Sequence, residues 1–178
     1  MAGESPWVSK VRFSEVGRGV VTRRLEADAA ARVGVARLLG LVAIDSLTAD
    51  VTVRPWMDGA EIQASFEADI TQTCSVTADD FEETAEGEFT VRVLPPGSPN
   101  APQEEGVDEI ELDLEADDPP DVLEGEEIDL AGYVVEYLSL ALDPFPRKPG
   151  AEFIAPKDDA DLSPFAVLKR LKKSDEPE

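Results

Sequence analysis

The stretch Ile128–Arg147 reads IDLAGYVVEYLSLALDPFPR and decides how the rest of the chain is organised. Within it Leu130, Val134, Tyr137, Leu138, Ala141 and Leu142 recur at helical spacing, and Tyr133, Val135 and Leu140 widen the apolar surface beyond one stripe. Such a helix must bury most of its circumference. Asp129 is its expected N-cap, Glu126 and Glu127 suit the positive end of its dipole, and Pro144 and Pro146 stop it. A buried helix of this width needs a layer to lie on, so the remainder of the chain is read for a sheet.

Period-2 alternation supplies one. Apolar residues alternate at Leu47, Ala49, Val51 and Val53, again at Ile62, Ala64, Phe66, Ala68 and Ile70, and again at Phe89, Val91 and Val93, where Pro95 and Pro96 end the run. Between the first two lies Asp58-Gly59, a pair that favours a tight reversal, so the segments predict an antiparallel hairpin. Trp7–Phe13 alternates in the same way, Gly17 and Gly19 punctuate a turn, and Val20 and Val21 begin another short strand. Asp28 caps a helix that runs to Leu39 and stops at Gly40, with Ala31, Val35, Leu38 and Leu39 on one face. The expected fold is α+β: an antiparallel sheet, partly barrel-like, covered by two main helices. Phe66, Ile70, Val91, Val134, Leu138 and Leu142 are expected to share its core.

Residues 95–120 shift to proline, glycine and acids and read as an acidic mobile loop, although Ile110, Leu112 and Leu114 alternate as a short edge strand would. Residues 149–162 read as a linker, which leaves residues 1–148 as a single domain that includes the acidic loop. The last element, SPFAVLKRLKK over 163–173, has Ser163 as N-cap and Pro164 in the first helical position. Phe165, Leu168 and Leu171 then share one face of a short amphipathic helix whose other positions are Lys169, Arg170, Lys172 and Lys173.

The chain has 178 residues and a net charge of −23, distributed unevenly. Residues 1–54 carry 8 basic and 6 acidic side chains, residues 55–146 carry 1 and 26, and residues 147–178 carry 7 and 7. The middle repels phosphate, so any nucleic-acid contact falls to the terminal thirds, where Arg23, Arg24, Arg32 and Arg37 or the cluster Lys169, Arg170, Lys172 and Lys173 sit. Of these, Arg23, Arg24 and the terminal cluster are the candidate phosphate contacts. A basic protein is the easier partner for the middle, and DNA is not expected. No apolar run reaches the roughly 20 residues of a membrane helix, and MAGESPW lacks the layout of a signal peptide, so a soluble cytoplasmic protein is expected.

The chemistry-bearing residues are few. There is no histidine and one cysteine, Cys74, so the chain makes no internal disulfide and no thiolate–imidazole metal site of its own. The acidic runs lack the fixed ligand positions and central glycine of a calcium loop, and no nucleophile elbow, phosphate loop or dinucleotide fingerprint is present. No catalytic residue, metal ligand or cofactor is assigned.

Three segments in this order, ITQTCSVT over 70–77, the helix with its proline corner, and SPFAVLKRLKK, resemble the bacterial YceD-like family. The matching positions are Cys74, Asp129, Leu130, Pro144, Pro146, Pro164 and Phe165. The resemblance implies a non-catalytic factor that supports accumulation of 23S ribosomal RNA of the large subunit, with that RNA or a basic ribosomal protein as partner. An acidic interaction or scaffolding module unrelated to ribosomes is the alternative. In many members of the family a CxxC pair sits at the Cys74 place, with further cysteine or histidine after the proline corner, a set suited to tetrahedral zinc. Here the second position is Thr77 and the corner is followed by Arg147-Lys148-Pro149-Gly150, which implies a variant without the metal.

Overall fold

A computed structural model describes residues 5–102 and 118–153. Its centre is a hairpin of two long strands, β3 (Ala43–Trp56) and β4 (Gly59–Thr73), extended by β5 (Asp80–Leu94). Outside β3 lies β2 (Val21–Glu26), and outside β5 lies the two-residue β6 (Asp121–Val122). The sheet order is β2-β3-β4-β5-β6, antiparallel except for the β5–β6 pair. Among the described residues β2 and β6 at the two ends do not pair, so the sheet does not close into a barrel.

Alternation sorts the side chains of β3 and β4 onto two faces. Ile44, Leu47, Ala49, Val51 and Val53 of β3 lie inward with Ile62, Phe66, Ala68 and Ile70 of β4. A bulge between Ile44 and Ser46 lets β3 keep its apolar residues on that side although the spacing from Ile44 to Leu47 is odd. The reversal falls on Met57 and Asp58, not on Asp58 and Gly59: Trp56 pairs with Gly59, and Met57 takes the positive φ of 49°. Gly59 is needed for another reason. A Cβ there would collide with the Val93 carbonyl oxygen, so only glycine lets β5 approach the hairpin.

The inner face is covered by α2 (Ala29–Leu39) and α3 (Leu130–Ala141). In α2 the Asp28 carboxylate accepts the Ala31 N–H at 2.8 Å, and Gly40 ends the helix at φ 70°, as the sequence implied. Its buried residues are Ala31, Val35 and Ala36, while Leu38 is exposed, because a helix that meets the sheet at a narrow line buries one stripe only. In α3 Leu130, Ala131, Val134, Val135 and Leu138 are buried, and Phe89 stacks on Tyr137 with ring centroids 4.1 Å apart. Phe66, Ile70, Val134 and Leu138 thus share the core as expected, with Val91 and Leu142 packed against it half-buried.

The N-terminal segment is shorter as a strand than its alternation predicted. Only Lys10–Arg12 forms β1, and Phe13–Val16 turns into one helical turn, α1. β1 pairs antiparallel with β7 (Glu127–Asp129), which leads directly into α3. This small ribbon buries Val11 against Ile128 and fixes where α3 begins. The expected edge strand around Ile110–Leu114 and the helix over 163–173 lie outside the described residues.

Candidate functional site: an acidic sheet face and a cysteine clasp

The face of the sheet turned away from the helices is polar and open. From β2 it carries Thr22, Arg24 and Glu26, from β3 Thr48, Asp50 and Thr52, from β4 Gln63, Ser65, Glu67 and Asp69, and from β5 Glu82, Thr84, Glu86 and Glu88. Four carboxylates on this face are engaged, among them Asp80, which accepts the Thr73 hydroxyl at 2.8 Å. Asp50 accepts from the Arg24 guanidinium at 3.2 Å, Asp69 from the hydroxyls of Ser46 and Thr84, and Glu61 pairs with Arg92 at 3.3 Å. Glu67, Glu82, Glu86 and Glu88 make no hydrogen bond or ion pair among the described residues. Glu67 and Glu86 are moreover direct partners in the β4–β5 register, a like-charge pairing that disfavours the sheet. A shallow depression lined by Arg24, Asp50, Glu67, Glu86 and Glu88 runs across this face.

Arg23 and Arg24 do not form one cationic site, because neighbouring strand residues point to opposite faces. Arg23 turns to the inner side, where its guanidinium donates to the Lys10 carbonyl at 2.8 Å and pairs with Glu15 at 3.5 Å. Arg24 lies on the open face against Asp50. Lys169, Arg170, Lys172, Lys173, Pro164 and Phe165 lie outside the described residues.

The remaining motif residues converge at the far end of the β4–β5 hairpin. Cys74 follows β4 and is buried. Its Sγ accepts backbone N–H groups from Val76 and from Lys148, each at 3.4 Å, and the Ser75 N–H donates to the Pro146 carbonyl at 2.8 Å. Lys148 Nζ lies 3.7 Å from the Asp79 carboxylate. The turn therefore clasps the chain just after the proline corner, which is what Pro146 does beyond ending α3. Ala78 closes the turn at φ 59°, a left-handed conformation uncommon for a residue with a side chain. The Thr77 hydroxyl, followed by the Lys148 and Thr77 N–H groups, stabilises the thiolate and brings the Cys74 pKa down to about 7 against its burial.

This donor set does not fit zinc. One sulfur is present, Thr77 stands where a second would be, and Lys148 presents a backbone N–H to the sulfur instead of a ligand atom. Among the described residues no group of three or more cysteine, aspartate or glutamate side chains is placed to hold a metal ion.

Asp129 starts α3 but does not cap it with its side chain. Its Oδ1 accepts the Ser9 N–H at 3.0 Å, and the Leu130 N–H in turn donates to the Ser9 carbonyl at 2.8 Å. The carboxylate is thereby spent on joining β1 to α3, and Leu130 is buried beneath it. At the other side of α3 the Tyr133 hydroxyl donates to Asp121 at 2.9 Å, and burial together with that carboxylate pushes its pKa well above the usual range.

The charge distribution of the sequence locates the acidic excess in residues 55–146 as a whole, but does not by itself resolve the open face within it. The signal was present in the period-2 carboxylates of EIQASFEAD and in FEETAEGE, which alternate with the residues that face inward.

These features define an acidic α+β domain with a charged open sheet face and a clasp built on one cysteine. The sequence pattern of the family described as large ribosomal RNA subunit accumulation protein YceD matches residues 62–172, more than half of the chain, and the protein belongs to that family. The match begins within β4 and takes in both Cys74 and the proline corner. No curated protein and no solved structure matches the chain. No described helix is long and apolar enough to cross a membrane.

Proposed function

We propose that this protein is a non-catalytic factor that supports accumulation of large-subunit ribosomal RNA by holding a basic ribosomal protein on its acidic sheet face. The family supplies the theme of ribosomal RNA accumulation. The observation that favours a protein over RNA as the direct partner is the set Glu67, Glu82, Glu86 and Glu88, carboxylates without an ion-pair partner among the described residues and gathered on one open face. Phosphate approaching that face meets repulsion, whereas lysine and arginine side chains meet complementary charge. Arg23 and Arg24, two of the described arginines open to phosphate contact, already pair with carboxylates of the same chain.

Accumulation of ribosomal RNA would then follow indirectly, through delivery or protection of a protein that the RNA needs during assembly. Sedimentation of cell extracts tests the reading. The factor should travel with large-subunit precursors and be released by raised salt, since exposed charge contacts are screened within about 10 Å at 0.1 M ionic strength. Confinement to the slowly sedimenting soluble pool at low salt would contradict it.

A further inference from the structure

β5 is unevenly partnered. Along one side β4 pairs with it from Asp80 to Val93, but along the other β6 takes only Val93 and Leu94. From Asp80 to Glu88 no described strand occupies the outer edge, which at about 3.3 Å per residue leaves roughly 30 Å of main-chain donors and acceptors facing outward. Proteins usually blunt such an edge with charge, and here the charge has a single sign. Glu82, Glu86 and Glu88 border it on the open face and Glu83 on the inner one.

That sign selects the occupant. A second copy of this edge would set carboxylates against carboxylates, and the chain's own residues 103–117 bring Glu104, Glu105, Asp108, Glu109 and Glu111. An extended segment with lysine or arginine at alternate positions has neither penalty. The chain's own Lys169, Arg170, Lys172 and Lys173 share that sign but stand as adjacent pairs, and hydrogen exchange of the 80–88 amides before any peptide is added tells them apart from a separate chain. The added segment's main chain would pair with β5, and its side chains on one face would reach Glu86 and Glu88, then Glu67 beyond, and relieve the opposed Glu67–Glu86 pair.

We propose that the free edge of β5 between Asp80 and Glu88 receives an extended lysine- and arginine-rich protein segment as an added antiparallel or parallel strand. The proposal rests on the basic-partner reading above and gives its binding mode.

The test uses the full chain and two synthetic twelve-residue peptides with lysine at alternate positions and threonine or valine between. One is unmodified, and the other carries N-methyl groups on alternate backbone amides, which keeps the charge but removes strand pairing. The expected result is that the unmodified peptide binds, that the methylated one binds roughly tenfold or more weakly through the loss of several main-chain hydrogen bonds, and that amides within 80–88 gain protection from hydrogen exchange only with the unmodified peptide. Equal binding of both peptides would overturn strand addition and leave the charge-based reading standing. Failure of both to bind would overturn the two together. Amides within 80–88 that are all protected before any peptide is added would also overturn the proposal, because the edge would already be filled by the chain itself.

Discussion

Glu67 and Glu86 face each other directly across β4 and β5 on the open side of the sheet, and neither has an ion-pair partner among the described residues. Like charges opposite one another in a sheet are destabilising, by an amount comparable to the roughly 0.2–1 kcal/mol that a favourable cross-strand pair contributes. Replacing Glu86 with Gln should therefore raise stability by a few tenths of a kcal/mol in low salt, less in high salt, as read by urea denaturation. The same change should slow association with a basic partner. Stability gained and binding lost in one variant would mark the pair as retained for interaction.

Leu138 is fully buried in α3, which the core needs in order to cover the sheet. Leu138→Ala should cost about 2–5 kcal/mol in chemical denaturation, the usual range for a buried leucine truncated to alanine. Leu140→Ala is the control: Leu140 lies on the same helix but is 73% exposed, and its truncation should leave stability within about 0.5 kcal/mol.

The Cys74 thiol should titrate near 7, followed by the Cβ chemical shift of labelled cysteine. Because the folded-state pKa lies below the ordinary thiol value, thiolate formation favours the folded state: that contribution is fully present above the unfolded pKa near 9 and is lost as pH falls through about 7. Stability should accordingly rise between pH 7 and 9 from this group, and Cys74→Ser should remove that rise. Thr77→Val should move the titration upward, since the Thr77 hydroxyl is the largest cause of the lowered value.

Elemental analysis of the purified protein should find no stoichiometric zinc, since the clasp offers one sulfur and hydrogen-bond donors. One zinc per chain that resists a chelator would refute this account of the clasp.

The buried helix and the β3–β4 hairpin were legible because their apolar residues keep one period over many positions, and because Asp28, Gly40 and the prolines mark ends by fixed backbone chemistry. The first half of β5 was not, since Glu83, Ala85 and Gly87 on its inward face hide the alternation that Phe89, Val91 and Val93 display. Asp129 shows a second limit. Its type and position suit an N-cap, but a partner 120 residues away, the Ser9 N–H, competes for the carboxylate, and no local pattern reports that contact. Arg23 and Arg24 look like one basic pair in the sequence and are separated by strand geometry onto two faces. The cysteine clasp was invisible for the same reason as the Asp129 contact, because Lys148 reaches Cys74 across 74 residues.

Capture of a basic protein by the open sheet face can be measured as the binding of two variants to purified large-subunit ribosomal proteins and to a ribosomal RNA fragment across a salt series. One variant carries Glu67→Gln, Glu82→Gln, Glu86→Gln and Glu88→Gln, and the other Arg23→Gln and Arg24→Gln. The four-site variant should associate more slowly with a ribosomal protein and with a flatter salt dependence, because such charges mainly steer encounter, while the arginine variant should bind as the parent does. The contradicting result is tight parental binding to the RNA fragment that weakens in the arginine variant, with the salt slope reduced by about 1 for each lost phosphate contact, and ribosomal-protein binding that the four glutamines leave unchanged.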